Sequence, residues 1–356
     1  MKKILKKIVP ESMKRNILSA KDSIDFKLCS QFSKSGILSS LYYLLFSRKF
    51  RREHQSVLVG RVKYNGSLAI PDKSSALLRR NTHRLEKGLI MRPRRDVFAE
   101  AYIEETVDHY LVCQKVNSTD HNEMCWAKDV LSEYFSTVNV LKSEIINKSY
   151  IKFSNGLSSD KDVAPENIPY QRSSVKLSDI SLDNLKELCI QRRSVRWFKD
   201  QLVEKEKITA AIEIASLAPS ACNRQPFEFY VTTSPEEARE VGAIPMGTVG
   251  FSNNLQALIV VVGNLSAYPF EQDRHVIYID ASLASMQLML ALETQGLSSC
   301  PINWPDIENL EKKMAKRLKI TIDQRPIMLI AVGYASEDGL IPYSQKKSPS
   351  VLMKSF

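Results

Sequence analysis

A chain of 356 residues with 44% apolar and 25% charged residues can bury one large core or two smaller ones, and its composition excludes a disordered or fibrous protein. Its formal charge of +10 is uneven: residues 1–100 hold 23 Lys+Arg against 8 Asp+Glu, and the rest hold 27 against 32, which places +15 in the first part and −5 in the second. A basic first part suits an anionic membrane surface or a solvated face, and without an aromatic-interleaved basic motif it argues against nucleic acid.

The six cysteines, at 29, 113, 125, 189, 222 and 300, form no C-x-x-C pair, which favours a reducing, cytoplasmic setting. The apolar residues near the start are interrupted by Lys6 and Lys7 and stopped by Pro10, so no secretory signal is read. Gly36 to Phe46 is the longest apolar run at eleven residues, short of the roughly 20 needed to span a bilayer.

In chain order, residues 1–9 place Ile4, Leu5, Ile8 and Val9 on one helical face and Lys2, Lys3, Lys6 and Lys7 on the other, and Met13, Ile17 and Ile24 continue the apolar stripe. This pattern describes a helix on an anionic membrane or one docked on its own protein. The run Ser39 to Phe46, flanked by Lys34, Arg48, Lys49, Arg51 and Arg52, suits either reading. From Ala76 to about Tyr150 the spacing is helical, with Gly88 placed for a left-handed C-cap and Glu86 and Lys87 read as solvated. Residues 154–178, with Pro165 and Pro169, read as a linker.

Beyond the linker the spacing predicts helices over 181–192 and 204–217, strands over 228–232 and 257–263, a helix over 278–294, a helix over 307–318 and a strand over 327–332. The 278–294 helix is apolar nearly all round, so it belongs in the core or between two subunits. Residues 234–254 and 264–277, the latter with Arg274 and His275, read as loops that could line a pocket. The resulting plan is a basic, mostly helical extension over 1–153, a linker over 154–178 and an α+β domain over 179–356.

Two segments carry most of the chemistry. Arg192-Arg193-Ser194-Val195-Arg196 crowds three guanidinium groups into five residues, a set that can fork onto phosphate oxygens or merely serve a helix dipole. Ala218 to Pro226 carries two prolines that exclude a regular helix, leaving backbone N–H groups free to meet a ligand. Its Asn223 and Gln225 offer both donors and acceptors, as a flat polar ring requires. Gly296 to Pro301 reads as a C-cap followed by a tight corner into Cys300-Pro301-Ile302-Asn303-Trp304. Cys300 reads as a packing thiol and Trp304 as a core residue or a cover for the ligand. The five histidines occur singly and no H-E-x-x-H is present, so no metal site is read.

With these motifs, and with Val332-Gly333-Tyr334 beyond them, residues 176–356 resemble the nitroreductase superfamily of FMN-dependent oxidoreductases. The resemblance implies a nitroreductase-like three-layer α-β-α domain with a buried central helix, bound FMN and a homodimer. Arg192, Arg193, Ser194 and Arg196 match the positions that hold the FMN phosphate and ribityl chain. Pro219, Ser220, Asn223 and Gln225 match the turn that meets the ring, commonly that of the partner subunit, and Ser299, Cys300 and Pro301 match the corner beside N5. Lys346 falls where the family usually places a Lys or Arg for the phosphate. A point charge replaces the guanidinium fork there.

The segment His83 to Leu89 looks like one in long nitroreductase-like proteins associated with bacterial surface-polysaccharide genes. The resemblance therefore implies an enzyme that takes a hydride from transiently bound NAD(P)H through flavin N5 and passes it to a small-molecule acceptor. That acceptor would be a nitroaromatic or quinone in vitro and a polysaccharide-pathway intermediate in the cell, and no side chain need act as obligatory acid or base. A rival reading is a non-catalytic flavin-binding or assembly protein held at the inner membrane face by the basic helices, and a third is a relative recruited to deazaflavin or peptide-modifying chemistry.

Overall fold

The structure is a computed structural model that describes residues 10–157 and 165–356. The lysine-rich stretch 1–9 and part of the expected linker, 158–164, lie outside the described residues. Contacts divide the chain into Met1–Gln55 and Ser56–Phe356. This differs from the plan drawn from composition, because the helices after residue 55 fall in one unit with the α+β domain.

In the first unit α1 (Glu11–Phe32) and α2 (Gly36–Leu45) form a hairpin. Ser35 caps α2, its hydroxyl accepting from Leu38 N at 3.2 Å. Phe32 packs its ring 6.1 Å from Tyr42 and 5.5 Å from Phe46, and the Tyr42 hydroxyl donates to Asp25 across the hairpin. Met13, Ile17 and Ile24 are exposed.

The division falls within α3 (Arg51–Ser67), and the second unit continues with α4 (Ala76–Leu89), α5 (Ile103–Val116), α6 (His121–Thr137) and α7 (Glu144–Gly156). The last four close around a core of their own that includes Leu78, Leu85, Ile103, Val107, Leu131, Tyr134, Ile146 and Phe153. Gly88 is not the expected cap. It lies inside the last turn of α4 without a positive φ, and the Phe98 ring fills the space a Cβ would need. Glu86 is not merely solvated, since it accepts from the Trp126 indole at 3.0 Å and lies 3.5 Å from His83 Nδ1. Lys87 is exposed.

Then follow α8 (Leu182–Gln191), α9 (Lys205–Ser216), β1 (Phe227–Thr232), α10 (Pro235–Gly242), β2 (Ala257–Asn264), α11 (Val276–Thr294), β3 (Ser298–Asn303), α12 (Glu308–Leu318), β4 (Gln324–Gly333) and the short α13 (Pro349–Leu352). Two of these differ from the sequence reading. Residues 235–242, taken as loop, form a helix too short to show periodicity, capped by Ser234 and started by Pro235. The corner at Cys300-Pro301 is a strand, and Pro301 is tolerated because β3 lies on the sheet edge.

The sheet is antiparallel in the order β1-β2-β4-β3. Alternation assigns its faces: Ile259, Val261, Ile330 and Val332 pack into the core that includes α9 and α11 residues, and Leu258, Val260, Leu329 and Ala331 into the one that includes α10 and α12 residues. That is a three-layer α+β domain. On α11, Ile277, Ala281, Ala284, Leu288 and Leu292 are buried, while Ile279, Leu283 and Met286 remain exposed. By length and composition Glu271–Thr294 is apolar enough to cross a bilayer, a segment longer than the one singled out from sequence. Its inner face is nevertheless spent on the sheet.

Near the start of β4, Arg325 is only 2% exposed and lies 3.3 Å from Glu311 and 3.1 Å from Asp306. Trp304 donates its indole N–H to the same Glu311 at 2.8 Å, which makes it a core residue. Glu311→Leu leaves the guanidinium only the half-exposed Asp306 and takes the acceptor from the Trp304 indole, and it is expected to lower unfolding free energy by about 3 kcal/mol in urea titration, with E311L/R325M recovering part of the loss. A double variant no more stable than the single one would show that the buried pair is not the reason.

Candidate functional site

Arg192 is the C-cap of α8, and from there the chain runs extended beside the edge strand β3. Ser194 and Ser299 stand opposite in a short parallel bridge, with Val195 N donating to Ser299 O at 3.1 Å. Phe198 bridges Ala335. Val195 and Phe198 are buried anchors, and Arg192, Ser194 and Arg196 are each only half-buried. The arrangement brings these three together with Ser299, Cys300 and Pro301.

Two polar atoms in this cluster, Ser299 Oγ and Arg192 Nε, are buried without a hydrogen-bond partner among the described residues. Arg196 Nη1 donates to Ser194 O at 3.3 Å. Glu293 at the end of α11 accepts from Gln191 at 3.4 Å; burial raises its pKa, and the hydrogen bond and the Arg192 charge oppose that rise. Burial likewise pushes the Cys300 thiol up, against the pull of Arg196 and Arg192. At 1% exposure it is a packing group. Arg193 points elsewhere and donates to the carbonyls of Pro342 and Tyr343, which tethers the exposed segment that carries Lys346.

The 219–226 turn is built differently from its expected form. Cys222, Asn223 and Gln225 have φ of 53°, 50° and 48°, a left-handed conformation that costs a non-glycine residue on the order of 1 kcal/mol or more. Hydrogen bonds hold it there. Ala221 N donates to Asp280 Oδ2 at 2.9 Å, Asn223 N to Ser220 O at 3.0 Å, Arg224 N to Ala221 O at 3.3 Å and Gln225 N to Ser220 Oγ at 3.1 Å. These amides are therefore not free for a ligand, because the kink turns them onto its own acceptors and onto α11. Pro219 is exposed and Ser220 and Asn223 are half-buried.

The remaining support comes from α4. Arg79 donates through Nε to Asn223 O at 2.7 Å, through Nη2 to Gln225 Oε1 at 3.1 Å and through Nη1 to Glu123 Oε2 at 3.1 Å. The Gln225 amide also donates to Ser216 O at 2.6 Å, so both ends of that side chain are engaged. Glu123 in turn accepts from Ser75 N at 2.8 Å and Ser74 Oγ at 2.7 Å, which fixes the start of α4. Sequence reading had not singled out Arg79, Glu123, Asp280 or Glu293. The signal for the last two was an acid on an otherwise apolar helix; Asp280 is 3% exposed, and burial raises its pKa against the Ala221 N–H and the Arg224 charge. Arg79 and Glu123 gave no such signal, since their partners are distant in sequence.

A hydrogen bond to a charged group contributes about 1.5–3 kcal/mol. Arg79→Ala is therefore expected to speed amide exchange in the 219–226 peptide by roughly tenfold or more. Exchange unchanged from the parent would show that α4 does not hold the turn.

Residues 190–249 and 243–334 match the family model described as the nitroreductase family. A Bacillus subtilis protein, YdgI, provisionally named an NAD(P)H nitroreductase, is 24% identical over 200 residues, which cover 46% of this chain and 94% of that protein. The iodotyrosine deiodinase of Haliscomenobacter hydrossis is 27% identical, covering 46% of this chain and 84% of its own. A solved nitroreductase family protein from Streptococcus pneumoniae is 26% identical and covers 48% of this chain and 100% of its own, with a TM-score of 0.42. The similarity to the nitroreductase family is thus carried by residues 190–334.

Proposed function

We propose that the chain is an FMN-dependent oxidoreductase that draws electrons from NAD(P)H. The carrying observation is the pair of buried, unpartnered donors, Ser299 Oγ and Arg192 Nε, in a cluster with Ser194 and Arg196. Such donors are costly to leave unpaired, and a phosphate with its ribityl hydroxyls satisfies them. The residues present fit that group. Arg192 and Arg196 would hold the phosphate by charge-assisted hydrogen bonds, Ser194 would add a hydroxyl, and Lys346 would bring a flexible point charge from the segment tethered by Arg193. The backbone of Ser299, Cys300 and Pro301 would run beside the ring. When bound, the flavin supplies hydride acceptance from a reduced nicotinamide and electron delivery to a second substrate. Among relatives, one from Bacillus subtilis is named FMN reductase (NADPH).

A homodimer follows from the same reading. Asp280, which holds the 219–226 turn, and Glu293, beside Arg192, lie 13 residues apart on α11, about 20 Å along its axis. A flavin held by the arginine cluster then meets Pro219, Ser220 and Asn223 of a second copy, with Gln225 bracing that turn from within. The exposed Ile279, Leu283 and Met286 of α11, with Leu182, Leu185 and Ile190 of α8, supply an apolar face for such a partner.

Purified protein is expected to hold about one FMN per chain, and Arg196→Ala to weaken FMN binding about 10–100-fold for loss of a charged hydrogen bond. Protein that stays colourless and fails to bind added FMN overturns the reading.

One observation favours an added role at a membrane: Met13, Ile17, Ile24 and Phe26 of α1 are 54–75% exposed on a strongly basic part of the chain, as an interfacial helix would be. Co-sedimentation with phosphatidylserine vesicles is expected to disappear when residues 1–35 are removed. Binding unaffected by that deletion sinks the anchor.

A further inference from the structure

Several arginines lie along α4 and beyond it, outside the cluster assigned to the flavin. Arg80 and Arg84 are one helical turn apart, and Gly88 is the next residue in the same row. The row begins beside Arg79, which is bonded to the 219–226 turn. It ends at an open pocket of about 370 Å³ whose lining includes Gly88, Met91, Arg92, Arg95, Phe98 and Tyr102. Tyr102 joins the two parts, since the Arg84 guanidinium lies 3.6 Å over its ring. The absence of a side chain at Gly88 lets Phe98 close onto the helix and form the pocket floor.

The charge here is poorly balanced. Arg84 Nη1 donates to Asn81 Oδ1 at 3.3 Å, and the Asn81 amide in turn holds Glu105 at 3.1 Å. Among the described residues no carboxylate within ion-pair distance faces Arg80, Arg84, Arg92 or Arg95. Like charges one turn apart repel, and burial together with Arg80 pushes the Arg84 pKa down. Several guanidiniums with Glu105 as a nearby acid reached only through Asn81, beside an apolar wall of Met91 and Phe98, make a receptor for an organic ligand that carries more than one negative charge.

We propose that this row is the anion subsite for the electron acceptor: a phosphate-bearing molecule sets its phosphate among Arg84, Arg92 and Arg95 and its reducible end toward the 219–226 turn. The proposal rests on the flavin reading above, and it assigns α4 a share in substrate choice.

The test uses the full-length, FMN-loaded protein and two acceptors with the same nitro group, 4-nitrobenzyl phosphate and neutral 4-nitrobenzyl alcohol. The parent is expected to favour the phosphate at least tenfold in kcat/KM. Arg84→Gln with Arg95→Gln is expected to raise KM for the phosphate at least tenfold and to leave KM for the alcohol within twofold and the visible spectrum of the flavin unchanged. Arg95→Gln alone, at an exposed position, keeps the test in hand if the double variant does not fold. Equal effects on both acceptors, or no preference in the parent, overturn the proposal. Calorimetric titration with inorganic pyrophosphate gives a readout without turnover: the parent binds it and the variant does not. A colourless protein overturns the flavin reading, and pyrophosphate binding that is equal in parent and variant overturns the subsite whatever the flavin does.

Discussion

Burial of α11 organises the α+β half of the chain. Its inner row of Ile277, Ala281, Ala284, Leu288 and Leu292 covers one face of the sheet, and this apolar contact is the main reason the strands have a fixed backing. The same helix carries the two acids that reach the functional segments. Asp280 near its start fixes the 219–226 turn, and Glu293 near its end stands beside Arg192. A single rigid element thus sets the positions of both segments. Each acid is tolerated because it has work there: an amide to accept from in one case, and an amide and a neighbouring cation in the other.

The second constraint is the edge of the sheet. The chain after α8 lies down beside β3 through one backbone hydrogen bond and a bridge at Ser194 and Ser299. Two buried anchors do the rest, since Val195 and Phe198 enter the core and Arg192, Ser194 and Arg196 stay half-buried around them. Pro301 marks where the edge can no longer serve as a donor on the strand. The arginine-rich motif is therefore shaped by the burial of its apolar members as much as by its own charges.

Much of this was legible in the sequence. The near-continuous apolar runs of β2 and β4 and the apolar α11 gave the layers, and the clustered arginines with the Ser299 corner gave one half of the candidate site. What was not legible has physical causes. The short α10 is defined by its cap and first proline more than by any periodicity, and β3 hides its strand character behind a proline. The free amides expected in the 219–226 turn follow from treating it as a local loop. The left-handed residues Cys222, Asn223 and Gln225 instead require acceptors from Asp280 and a brace from Arg79, and neither is adjacent in sequence. The linker read over 154–178 suggested a boundary, but the helices after residue 55 belong with the α+β domain, and packing between segments distant in sequence leaves no mark in a composition window.

The brace from α4 bears on how the chain is made. The helices α4 to α7 enclose their own apolar core from neighbouring segments, and structure built on local contacts forms fast. They also leave the ribosome before the turn they support. Arg79, already fixed by Glu123 and by the start of α4, is then waiting when residues 219–226 emerge, and the turn can settle into its uncommon backbone shape on a surface that exists before it. The N-terminal helices act in this sense as an intramolecular template for the half of the chain that follows them.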